Sequence, residues 1–384
     1  KPAADDSTVL SLVAHFGEHV KFATEEPVAA AEEVESAASK TQEQQGHIEN
    51  TFAAIEAAAD KVLDYRKKKG RYVSIIVVTD EAGDDRSKVD QALAKLTPYG
   101  IPVHVIGPSA VFGEMEGSHR MAEGTPPAGE VWVVQGPDTH DPDWIKLDSA
   151  RGGGMDTHLD TGVGTYQLAR LCKETDGQFH ALSHGMSSDL KGYEPNYISE
   201  KAYAEEVEKN KAKRALLDAA KLPRAAVASS MQMSFLSEDD VKRNRALESA
   251  QKPVAKVMPG IDAFYNALKP GENDLPKLAG TNDKRWRAAY KLALGRAGAV
   301  KVRHQGYIEM TAQMKSGKKF EDEKHNTWVL ETTEAPMGIS ALDKMAAKSR
   351  QYLKEVAEEF PNTPWARAAE AELAAPMSYK WIEK

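Results

Sequence analysis

Residues Tyr72–Val78 (YVSIIVV) form an almost unbroken run of β-branched and aromatic residues. A run without polar alternation predicts a strand buried on both faces, as in parallel sheets. Ile101–Ile106 (IPVHVI), ending at Gly107-Pro108, predicts a second such strand, and Val131–Val134 and Gln178–Leu182 predict two more. Thr8–Phe16 predicts an early strand, which His19–Phe22 extends after a turn at Gly17.

Between these runs the apolar period changes. In Asn50–Lys69, Phe52, Ile55, Ala59, Val62 and Leu63 fall at helical spacing. Asn50 or Thr51 can cap this helix, and Gly70 ends it after the cations Arg66–Lys69. Pro27–Gln45, Ser87–Leu96 and Gly164–Thr175 predict further helices, with Pro98-Tyr99-Gly100 closing the Ser87 segment. The alternation of strands and helices predicts a doubly wound α/β domain with a mainly parallel sheet over residues 1–185, carrying an insertion at about 109–154.

After residue 185 the pattern becomes helical. Lys201–Lys221, Asp239–Leu268 and Asp283–Lys315 predict long charged amphipathic helices, with breaks at Pro259-Gly260 and Pro270-Gly271. Thr327–Thr332 predicts a short strand. Ser340–Phe360 and Thr363–Leu373 predict a helical hairpin across Pro361-Asn362, with a tetratricopeptide-like look. Residues 186–384 are therefore read as a second, mainly helical region, in which Trp286, Tyr290, Tyr307 and Trp365 fall at core positions.

Composition narrows the function. The chain has 384 residues, 41% hydrophobic and 28% charged, as in ordinary globular proteins. A net charge of -8 argues against nucleic-acid binding. The single cysteine, Cys172, excludes an internal disulfide and a cysteine-based zinc site, and its place within a helix predicts burial. No apolar run approaches the roughly 18–20 residues of a membrane span. Lys1 is not an initiator methionine and no signal peptide is visible, so a longer product is expected upstream.

The strand at Tyr72–Val78 runs into Thr-Asp-Glu, and Asp84 and Asp85 follow. Ligands collect beyond the carboxyl ends of strands in open α/β sheets, and carboxylates there suit a hard cation. The alternative is a solvated loop before Ser87. Elsewhere the chemistry is thinner. Glycines at Arg151–Asp156 and Asp160–Tyr166 lack a Walker lysine, and Gly162-x-Gly164 reads as a helix cap. No His-Glu-x-x-His or Gly-x-Ser-x-Gly occurs, and His104 reads as a core histidine. The insertion, with Phe112, Trp132 and Trp144, reads equally as a lid or a recognition loop.

The ordered set FGEHVKF, ENTFAAI, VVTDEAGDD, VIGPSAVFGE, QGPD and LARLCKET resembles von Willebrand factor type A domain proteins of planctomycete-type bacteria. The resemblance spans roughly residues 8–184. It implies a magnesium or calcium ion at a metal-ion-dependent adhesion site, with Asp80 as the third-loop aspartate. The usual second-loop threonine position holds Glu49, and Thr51 lies two residues on; either could serve. The first-loop Asp-x-Ser-x-Ser does not occur in residues 1–384. The first βα unit of such a domain is thus missing, and an upstream segment or another chain is expected to complete the sheet.

These features imply a non-enzymatic protein-binding or assembly module. Asp80, Glu49 and Thr51 are the metal candidates, and Glu81, Asp84 and Asp85 the partner-binding ones. The helical region then serves as a scaffold or second interface. The resemblance favours an exported, extracytoplasmic bacterial protein. Two alternatives remain: a structural component of an envelope or surface assembly with a vestigial metal site, and a metal-dependent enzyme subunit. Asp80→Ala separates them, abolishing partner binding, changing little, or abolishing turnover respectively.

Overall fold

The computed structural model describes residues 9–40, 48–113, 117–120, 132–148, 160–182, 190, 192–228, 230–237 and 239–384. It is a mixed α/β protein with a mixed parallel and antiparallel sheet. The first half opens with a small hairpin, β1 (Ala14–His15) against β2 (Lys21–Phe22), shorter than Thr8–Phe16 led one to expect. Helix α1 (Ala31–Ser39) follows, then α2 (Thr51–Lys67).

Strand β3 (Ile75–Val78) leads through α3 (Val89–Leu96) to β4 (Val103–Val111). The two pair in parallel, Ile75 opposite Val103 and Val78 opposite Ile106. A hairpin of β5 (Gly117–Arg120) and β6 (Trp132–Gln135) comes next, then β7 (Asp160–Gly164), α4 (Tyr166–Glu174) and β8 (Phe179–Leu182). β8 adds in parallel to β4, while β7 pairs with it antiparallel from Ser109 onward. β4 therefore does not stop at Gly107-Pro108. It passes through both and changes partner there, with a register shift between Ser109 and Val111, the kind of irregular position at which a sheet tolerates proline. The Gly162-x-Gly164 segment is strand β7 rather than a helix cap. A Cβ on Gly164 would collide with the Phe179 ring of β8, so the crossing requires glycine.

Helices α2, α3 and α4 bury one face of this sheet. Phe52, Ile55, Leu93, Leu96, Leu168 and Leu171 meet Val77, Val103 and Val105 in one cluster. The other face does not follow the sequence reading. Ile76 and Val78 are 67% and 66% exposed and Leu182 is 50% exposed. The β-branched run encodes strand propensity, whereas burial depends on what the chain lays over each face. Among the described residues only the Ile75 and Val77 side receives helices.

The second half contains α5 (Glu200–Glu208) and α6 (Lys211–Ala220), where one helix was expected. Asn210 separates them, its side chain accepting the Ala212 and Lys213 N–H groups as an N-cap. β9 (Ser234–Leu236) precedes α7 (Asp240–Leu268), which runs unbroken through Pro253, Pro259 and Gly260. α8 (Lys284–Met314) is followed by β10 (Thr327–Thr333), the hairpin α9 (Ser340–Glu359) and α10 (Pro364–Leu373), and β11 (Ser378–Glu383). The strands form a three-stranded antiparallel sheet in the order β11-β10-β9.

α8 is buried on nearly every side rather than amphipathic. Gly295 and Gly298 let α9 come close; a Cβ at 295 would lie 3.0 Å from Leu353, and one at 298 would strike the Ser349 hydroxyl. Phe112, Ile145 and Leu147 join the core around α8, so the described end of the insertion packs into the helical half.

Candidate binding site at the end of the sheet

The loop after β3 meets the start of α2. Glu49 N–H donates to Asp84 Oδ2 at 2.8 Å, and Asp84 N–H donates to the Glu49 carbonyl at 2.8 Å. The next aspartate faces inward. Asp85 is 8% exposed, and its Oδ1 and Oδ2 accept the Phe52 and Ala53 N–H groups at 3.0 and 2.8 Å. It caps α2 from a distant loop, placing negative charge at the helix N-terminus. Asn50, the local cap residue, is turned to the β1–β2 hairpin, where its N–H and Nδ2 bond the Gly17 and Glu18 carbonyls at 2.9 Å each.

Thr79, assigned no role from sequence, organises the rest. Its hydroxyl donates to Glu49 Oε2 at 3.1 Å and accepts the Glu81 N–H at 3.1 Å. Burial raises the Glu49 carboxyl above its ordinary pKa, the Asp80 and Asp84 charges add to the rise, and the Thr79 bond opposes it. Asp80 itself is exposed. Thr51 is fully buried against the Gly83 turn (φ +82°), and its Oγ1 has no hydrogen-bond partner.

The structure thus brings Glu49 and Asp80 into electrostatic contact and leaves one buried hydroxyl nearby in the fold, at Thr51. Asp84 and Asp85 are engaged in holding the loop to α2, and Glu81 is tied through its backbone to Thr79. Among the described residues, no group of three or more His, Cys, Asp or Glu is arranged to hold a metal ion. The carboxylate pair offers oxygen ligands of the kind magnesium or calcium prefers, but the donors present form only part of a shell.

A second polar cluster, not assembled by the sequence reading, lies between the two halves. Arg285 on α8 donates from Nη1 to Asp138 and from Nε to Asp143, both at 2.7 Å, with all three side chains buried. Burial holds the Asp138 carboxyl above the usual range against the pull of Arg285, and Asp143 adds to the rise. Beside it a cavity of about 20 Å³, room for one water, is lined by His140, Asp141, Tyr203 and Trp286 among others. Asp138 lies within the quoted QGPD motif, while Arg285 is 147 residues away and could not be paired with it by pattern. Cys172 is buried, its thiol pushed up to about 12 by desolvation, and is chemically quiet.

Compared with family models, with curated proteins and with solved structures, the chain gives no match in any of the three.

Proposed function

We propose that the chain is a non-enzymatic binding or assembly module that docks a protein partner on a von Willebrand factor type A-like sheet. One observation carries the reading: the sheet face formed by Ile76, Val78, Ile106 and Leu182, interrupted by His104 and His180, is left largely open. Parallel strands are normally covered on both faces, and a cluster of exposed apolar side chains marks an interaction surface. Another chain that completes a doubly wound sheet is the docking event this reading requires.

Photocrosslinking tests it. p-Benzoylphenylalanine at position 76, in the protein produced in its native host, is expected to give a protein adduct that the same label at exposed Val241 does not. Equal labelling from both positions, or none from 76, removes the reading.

The raised Glu49 carboxyl favours a second element. A divalent cation between Asp80 and Glu49 would relieve their repulsion, with Thr51 available as a further oxygen ligand. In this reading magnesium or calcium tightens partner docking, as in an adhesion site. Magnesium titration followed by the Glu49 side-chain carboxyl resonance checks it; an unmoved resonance at millimolar magnesium rules the ion out.

A further inference from the structure

We propose that the occupant of the β3 edge is an extended segment of a partner protein with basic residues at the end that passes Asp80, added as a strand beside Ile76 and Val78; this rests on the docking reading above and specifies the partner's chemistry. The backbone direction is the first argument. Ile75 N–H bonds the Pro102 carbonyl at 2.9 Å and Thr79 N–H bonds the Ile106 carbonyl at 3.1 Å, so the odd-numbered positions face β4. In a parallel ladder the alternate residues point the other way. The Ile76 and Val78 N–H and C=O groups therefore face outward, and among the described residues β3 pairs only with β4. An unpaired edge of this kind accepts an added strand through main-chain hydrogen bonds. The same two residues present their side chains on the open face, so an added strand with apolar residues there would extend that surface.

Charge supplies the second argument. The edge runs directly into exposed Asp80, whose charge already opposes that of Glu49, with Asp84 adding to it. The nearby Lys88 is paired with Asp85, on the α2 side of the loop. The other end of β3 is preceded by the exposed cations Lys67, Lys68, Lys69 and Arg71, so negative potential is met at the Asp80 end alone, where it favours lysine or arginine and disfavours an acidic residue.

The test uses four fluorescein-labelled peptides, Lys-Lys-Thr-Val-Thr-Val-Thr-Ser-Ser, Ser-Ser-Thr-Val-Thr-Val-Thr-Lys-Lys and their twins with glutamates for lysines, so that one basic peptide sets its lysines beside Asp80 whichever way the strand runs. Fluorescence polarisation with the full chain is expected to show one basic peptide binding at least about 10-fold tighter than its glutamate twin at low salt, the preference shrinking as salt screens the charges. Val78→Pro removes an outward donor while sparing the β4 ladder, so it is expected to abolish binding without moving the thermal midpoint by more than a few degrees. Asp80→Asn should narrow the preference. Equal binding of each basic peptide and its twin, or undiminished binding by a folded Val78→Pro, overturns the proposal. If no peptide binds while crosslinking from position 76 persists, the strand form is wrong and the docking reading stands. If the Ile76 and Val78 amides are protected from exchange in the monomeric chain alone, its own residues cover the edge and both fail.

Discussion

Asp85 and Ala53 are joined across 32 residues by a 2.8 Å hydrogen bond in which a loop carboxylate receives the helix N–H. The other oxygen of the same carboxylate holds Phe52. A helix whose own cap residue faces elsewhere is therefore started by the loop that follows the next strand.

Removing that carboxylate should loosen both partners. Asp85→Ala is expected to destabilise the protein by about 2 kcal/mol, from the lost cap and two orphaned N–H groups. Asp85→Asn should cost less, since the amide oxygen still accepts one bond. Urea unfolding measures the difference; equal losses would mean that the cap contributes little.

Arg285 neutralises two buried carboxylates. Arg285→Met should cost roughly 3–5 kcal/mol at neutral pH, because the two buried carboxylates lose their counter-ion and Asp138 keeps only the Gly113 N–H. Protonating Asp138, whose carboxyl burial already holds above the usual range, relieves part of the penalty, so the deficit should shrink as pH falls. A deficit independent of pH would assign the cost to lost packing against Phe112 and Trp365, over which the guanidinium sits.

Glu49 makes the opposite kind of pH contribution from an ordinary paired acid. With its folded pKa raised, the native state binds more protons than the unfolded one, so stability falls as pH rises above 4.5. Asp80→Asn removes one cause of the rise. It should lower the Glu49 titration midpoint and stabilise the protein at neutral pH by roughly 0.5 kcal/mol or less, after discounting for solvent screening at this half-buried group. Carboxyl NMR titration and urea unfolding check the two halves; a destabilised Asp80→Asn would show that Asp80 makes a favourable contact instead.

His304 is held neutral. Its Nε2 accepts the Ala228 N–H at 3.1 Å, and Nδ1 lies 2.8 Å from the Val300 carbonyl, which fixes the tautomer. Burial lowers its pKa. The unfolded chain therefore takes up a proton below about pH 6.5 that the folded chain resists, and stability is lost as pH falls through that range. His304→Gln should lose less stability than the parent between pH 7 and pH 5. An identical slope would place the acid sensitivity elsewhere.

Some of this fold can be read directly from the chain. α2 declares itself through Phe52, Ile55 and Ala59 at helical spacing and Gly70 beyond its end, and the α9–α10 hairpin through the Pro361-Asn362 break. α8 is equally legible as a helix, expected over Asp283–Lys315 and found over Lys284–Met314, but its burial is not, because Lys291 and Arg303 look like solvated charges. Lys291 instead reaches Glu355 and Glu359, and Arg303 reaches Glu372 and the carbonyls of Ala375 and Pro376, all from later elements. The same limit governs the site. The acidic loop is visible in VVTDEAGDD, but which carboxylates face solvent depends on contacts between residues 49–53 and 79–85 that no local pattern encodes. Likewise β3 announces itself as a strand, but not that only one side of it is covered.

The joined bonds at residues 17, 50, 49 and 84 have a mechanical meaning. The hairpin holds Asn50, the adjoining Glu49 holds Asp84, and Asp84 sits on the loop that carries Asp80. These links are in series, and the Thr79 hydroxyl, next to Asp80, reaches Glu49 Oε2 and so bypasses Gly83, the one glycine between Asp80 and Asp84. A force applied at Asp80 is therefore delivered to the head of α2 and on to the hairpin, so that tugging on the acidic loop moves three pieces of backbone as one.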